Sequence, residues 1–104
     1  MKDRRETPRR NPQTDLLVRA LLSLETTDEC YRLLDDLCTI HEIQAMAQRM
    51  EVARMLRSRT TYQEIANETG ASTATISRVN RCLSYGADGY TTVLNRMEGK
   101  ALWT

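Results

Sequence analysis

The stretch TYQEIANETGASTATISRVNRCL, residues 61–83, decides how this chain is read. It holds a helix-sized segment, a glycine, and a second helix-sized segment rich in small hydroxyls. Thr61 followed by Glu64 is a capping box, in which the threonine hydroxyl accepts from the N–H three residues on and the glutamate reaches back. Gly70 stands where a helix would end on a left-handed residue, a backbone state that penalises a Cβ. Ser72 is placed to cap the next helix, which runs to about Tyr85. Two helices joined this tightly impose steric demands. The first needs a small residue where the second crosses it, and Ala66 supplies it. The second must press an apolar face on the first. Ile76 and Val79 do so, and Ile65 completes the small core. Together these positions satisfy the spacing of a helix-turn-helix over residues 62–81.

The outward face of the second helix then carries the chemistry. Ser72, Thr73, Thr75, Ser77, Arg78 and Arg81 are short polar residues or arginines, and no acid interrupts them. Short side chains let a helix start approach a nucleic-acid duplex closely, and its free amides suit phosphate. Arg78 and Arg81 can reach phosphates or base edges such as those of guanine. Tyr62, at the start of the first motif helix, is a candidate phosphate contact through its hydroxyl. Glu64 and Glu68 are expected to face away from a duplex. The competing reading is a helical interaction or scaffold protein that keeps the corner but does not read DNA specifically. A purely structural hairpin would more often carry Glu and Lys on this face.

Around this motif the chain reads as all-α. Asn11 before Pro12 is a helix start, and Leu17, Leu21 and Leu24, with Leu16 and Ala20 beside them, form one stripe at helical period. Thr26 with Glu29, and Thr39 with Glu42, repeat the capping pattern and open two more helices. The second of these runs to about Ser58, with Ile43, Met46, Ala47, Met50, Ala53, Met55 and Leu56 as its expected buried side. GADG is a turn, and YTTVLNRMEGK a last helix. That gives about six helices, no strand-like alternation and no repeat. Residues 1–11 read as a flexible basic arm and 12–104 as a single helical domain, the size 104 residues allow.

Net charge is only +1, but residues 1–12 carry five basic and two acidic side chains, a local +3. Three cysteines without paired spacing, and no export or membrane-spanning segment, point to a reducing compartment, the cytoplasm. Cys30, Cys38 and Cys82 read as buried small hydrophobes, with Cys82 on the inner side of its helix. His41 is the only histidine and has no nucleophile or orienting acid at a suggestive spacing. No enzyme and no metal site is therefore expected. Tyr85 and Tyr90 flank GADG and are expected to lock the last helix onto the core. Leu102 and Trp103 either dock on a dimer or end the chain in solvent.

The stretches HEIQAMAQRMEVARMLRSRTTYQEIANETGASTATISRVNRCL and YGADGY resemble the Trp-repressor-like superfamily, in particular its small YerC/YecD-type branch, and the likeness spans about residues 12–98. The resemblance implies a Trp-repressor-like intertwined helical homodimer. Two recognition helices would enter successive major grooves of double-stranded DNA, and the protein would be a transcriptional regulator, a repressor. It also implies a place for a small corepressor between core and reading head. Arg49 matches one pocket arginine, with Gln48 a rival match, and Arg78 matches the other in ATISR. Where the pocket of that repressor has a glycine and a serine, this chain has Val79 and Cys82. A valine where an indole ring should meet backbone argues against tryptophan and leaves another small ligand, or none.

Overall fold

The computed structural model describes residues 10–100, and the side chain of Lys100 is outside that description. Residues 1–9 of the arm at 1–11, and Leu102 and Trp103, therefore lie outside the described residues. Six helices follow in order: α1 (Pro12–Leu22), α2 (Thr27–Leu37), α3 (Ile40–Arg57), α4 (Tyr62–Thr69), α5 (Thr73–Tyr85) and α6 (Gly89–Lys100). No strand occurs among the described residues, so the chain is all-α. Contacts gather in two compact units, divided between Thr39 and Ile40, where the sequence reads as one domain over 12–104.

The first unit contains α1 and α2. Asn11 caps α1 through its side-chain oxygen, which accepts from the Thr14 N–H at 2.8 Å, and Pro12 occupies the first position. Thr26 caps α2 by accepting from the Glu29 N–H at 3.1 Å. The expected reciprocal bond is shifted by one residue: Glu29 accepts from the N–H of Glu25, not of Thr26, at 2.8 Å. Arg32 pairs with Asp28 one turn away on the exposed face. Neither helix buries a residue fully. The leucine stripe of α1 is present at helical spacing, yet Leu16 is 62% exposed and Leu22 80%.

The second unit contains α3 to α6. α3 packs against α4 and α5, and α6 closes on α3 and α5. The core is Val52, Ala53 and Met55 from α3, Ile65 from α4, Ala71 from the turn, Ile76 and Val79 from α5, and Leu94 from α6. Each large aliphatic side chain so buried stabilises the fold by about 1.5–3 kcal/mol. The expectation for α3 is half met. Its full burial is confined to Val52, Ala53 and Met55, while Met46 and Ala47 are exposed and Ile43 and Met50 only half-buried. The core neighbours reach only its last turns. Val52 is the buried residue the apolar pattern of α3 did not indicate.

Two further expectations are corrected. Tyr90 is half-buried against the core, but Tyr85 is 87% exposed and locks nothing. Cys82 is exposed rather than inward, and Cys30 and Cys38 are half-buried. The inward face of α5 runs Ile76, Val79, Leu83. From Val79 it takes the four-residue step, so Leu83 turns in and Cys82 is left at the edge.

Candidate nucleic-acid interface

The corner between α4 and α5 is built as its residues require. The Thr61 capping box is complete: Thr61 Oγ1 accepts from the Glu64 N–H at 3.2 Å, and Glu64 Oε1 accepts from the Thr61 N–H at 3.2 Å. Gly70 ends α4 in left-handed space with φ 75°, its N–H donating to the Ala66 carbonyl at 2.9 Å. The turn is then tied by Thr69. Its hydroxyl donates to the Ile65 carbonyl at 2.7 Å and accepts from the Ala71 N–H at 3.1 Å. Ser72 starts α5, accepting from the Thr75 N–H at 3.1 Å. Ile65, Ile76 and Val79 are buried at this corner, and Ala66 is half-buried against the core they belong to.

That packing fixes which side of α5 faces outward. Ser72, Thr73, Ser77, Arg78 and Arg81 are exposed, and Thr75 is half-buried. Thr75 is also the most committed of the set, because the Ser72 hydroxyl donates to its Oγ1 at 3.1 Å. Ala74, Ser77, Arg78 and Arg81 line one shallow depression. The two arginines thus share a surface with small side chains, and no acid lies within α5. Tyr62 is exposed at the first position of α4. Of the two α4 acids, Glu64 is engaged in its cap, and Glu68 lies close enough to Arg54 of α3 to favour that guanidinium's charge.

The candidate ligand-pocket residues occupy separate surroundings within one chain. Gln48 reaches from α3 to the end of α4, donating to the Thr69 carbonyl at 3.1 Å. This satisfies a carbonyl that a helix end leaves without an internal partner. Arg49 is exposed on α3, and Arg78 belongs to the α5 depression. Cys82 lines a different, mainly apolar cavity of about 420 Å³ with Met50, Ala87, Gly89, Tyr90 and Val93. Val79, at the place of the pocket glycine, is buried in the core. No group of three or more His, Cys, Asp or Glu suited to a metal ion occurs among the described residues.

Thr69 went unnoticed in the sequence, and Gln48 was read there only as a rival pocket match, yet both hold the corner. Thr69 had a signal, since a threonine next to a turn glycine can bond both sides of the turn. Gln48 had none, because its acceptor lies twenty-one residues away.

Two short helices joined through a left-handed glycine, with an outward face of hydroxyls and arginines and no acid, define a helix-turn-helix protein. The chain belongs to the Trp repressor protein family, whose pattern it matches over residues 12–98. This is a family of DNA-binding transcriptional regulators, not of enzymes. The chain is 60% identical over 89 residues to the uncharacterised protein YerC of Bacillus subtilis strain 168, covering 86% of each chain. A crystal structure of a Staphylococcus aureus protein, provisionally named a Trp repressor, superposes with a TM-score of 0.84 at 48% identity, covering 93% of this chain and 96% of that one. A TrpR-like protein from Eubacterium eligens superposes with a TM-score of 0.82 at 53% identity, covering 86% of this chain and 92% of that one. No helix among the described residues is long and apolar enough to cross a membrane.

Proposed function

We propose that the protein is a sequence-specific transcriptional repressor that acts in the cytoplasm as a homodimer. The two α5 helices enter successive major grooves, and occupancy of the site occludes a promoter. The carrying observation is the outward face of α5, where Ser77, Arg78 and Arg81 stand exposed over a core-facing Ile76 and Val79. Ser72 and Thr73 at the helix start keep the approach to the duplex free of bulk, and Tyr62 offers a hydroxyl to the adjoining phosphate.

Dimerisation rests on α1 and α2, which bury no residue of their own while exposing Leu16, Leu17, Val18, Leu21 and Leu22. Contiguous apolar surface of this kind marks an interface. A second copy of the chain supplies the cover, as in an intertwined helical dimer. Two reading heads then require half-sites about one helical turn apart, ~34–36 Å, on a roughly palindromic operator. Val79, standing where the pocket of the Trp repressor has a glycine, argues against tryptophan as the corepressor. Any small corepressor is of another kind.

The test is retention of sheared genomic DNA from the same organism by the purified protein at physiological salt, followed by sequencing. The reading expects a few palindromic sites. Uniform weak retention that disappears with modest added salt would replace it with a helical scaffold protein.

A further inference from the structure

We propose that Arg59 is a phosphate contact that widens the DNA footprint beyond α5; this rests on the DNA-binding reading above. α3 ends in a Schellman turn. The Arg59 N–H donates to the Leu56 carbonyl at 3.0 Å and the Thr60 N–H to the Met55 carbonyl at 3.1 Å. The turn places Arg59 in left-handed space, with φ 61°. Glycine is the usual residue at that position, and Asn the usual substitute. Arginine has neither the missing Cβ of the one nor the short bonding side chain of the other.

Nothing among the described residues compensates for that choice. The Arg59 side chain is exposed and makes no hydrogen bond or ion pair among the described residues. Its neighbours on α3 differ. Arg54 is paired with Glu51, and Arg57 reaches the Thr91 carbonyl, Asn95 Oδ1 at 2.7 Å and Glu98 at 3.3 Å. Glu64, the acid in the first turn of α4, bonds Thr61 and leaves Arg59 alone. Arg49 and Arg96 also lack an ion pair among the described residues, but they sit within regular helices, where arginine is a favourable residue. Among the described residues, Arg59 alone combines a free guanidinium with an unfavourable backbone.

Its place supplies the reason. Arg59 precedes the α4 cap Thr61 by two residues and the exposed Tyr62 by three. In a helix-turn-helix the first helix crosses the phosphate backbone while the second enters the groove. A guanidinium at the entrance to α4 is permanently charged and presents several donors to phosphate oxygens. Such a contact positions the head without reading sequence.

The experiment measures, by fluorescence anisotropy over a salt series, affinity for a duplex containing a site retained from genomic DNA. Parent, Arg59→Gly and Arg59→Lys are compared, with a double Arg78→Ala, Arg81→Ala variant alongside. Loss of one phosphate contact lowers the salt slope by about 0.9 per copy of Arg59 in the complex. Raising salt fourfold then narrows the affinity gap to the parent by about 3.5-fold per copy, the 0.9 power of four. Arg59→Gly should show that loss while its melting temperature rises by a few degrees, because the left-handed position is relieved. Arg59→Lys should keep the parent's slope. An unchanged slope in Arg59→Gly overturns the proposal while the reading of α5 stands. If the double α5 variant also binds like the parent, the reading of α5 falls, and this proposal with it.

Discussion

Two glycines of this chain are required for different physical reasons, and substitution separates them. At Gly70 a Cβ would meet nothing within 4 Å, but φ is +75°. The penalty for alanine is therefore purely conformational, about 1 kcal/mol. At Gly86 the backbone is extended, with φ −86°, and the obstacle is steric. A Cβ there would overlap the Cys82 carbonyl oxygen and lie 3.0 Å from the Cys82 carbonyl carbon and Cα. Those are backbone atoms of α5 and cannot swing aside, so the turn into α6 must shift. Overpacking of this kind costs about 1–3 kcal/mol. The capping bond from the Gly86 N–H to the Cys82 carbonyl, 2.9 Å long, would be strained as well, which adds about 1 kcal/mol. In thermal melts at fixed protomer concentration, Gly70→Ala should lower the midpoint by roughly 4–8 °C and Gly86→Ala by at least twice as much. Asparagine tolerates left-handed space, so Gly70→Asn should recover most of the loss and Gly86→Asn none. A Gly86→Ala protein that melts with the parent, or an asparagine that rescues both positions equally, would refute this reasoning.

Other outcomes follow from the remaining contacts. The hydrogen bond from Arg54 holds the Glu51 carboxyl below its ordinary value of 4.5, against a smaller opposing effect of burial. A group lowered on folding contributes stability above its unfolded pKa and loses it as pH falls through the folded one. Glu51→Gln should therefore flatten the acid side of the stability curve below about pH 4.5, by only a few tenths of a kcal/mol, since the pair is solvent-screened. The proposed α1 interface predicts that Leu17→Asp with Leu21→Asp changes the mass measured by light scattering from dimer to monomer. A variant that stays dimeric would place the interface elsewhere. Thr61→Ala should remove the α4 cap and cost about 0.5–2 kcal/mol in denaturant unfolding, whereas no loss would mean the capping box contributes little.

The helix starts were legible because a cap is a local event. Asn11, Thr26, Thr61 and Ser72 each bond an N–H three residues on, and the sequence states both partners. Gly70 was legible for the same reason, as was the trio Ile65, Ile76 and Val79, whose spacing suits only a tight corner. Failures came where the deciding partner was distant or the backbone departed from residue preference. Arginine gives no sign of a left-handed position, so Arg59 passed unnoticed. In GADG the left-handed residue is Asp88, not one of the flanking glycines. Cys82 was misplaced because a three-residue and a four-residue step from Val79 are both helical, and only the packing of α6 chooses. Burial in the start of α3 was overestimated for a related reason, and the stripe of α1 stays exposed within the chain. An apolar stripe reveals that a face seeks cover, but not which chain supplies it.

The outward face of α5 is the centre of the account, and the double variant Arg78→Ala, Arg81→Ala tests it most directly. Binding to a retained genomic site would be measured beside circular dichroism and mass. Affinity should fall strongly while helix content, melting temperature and oligomeric state stay unchanged, because both side chains are exposed and outside the core. A variant that is folded, assembled as the parent is, and still binds the site with parental affinity would contradict it.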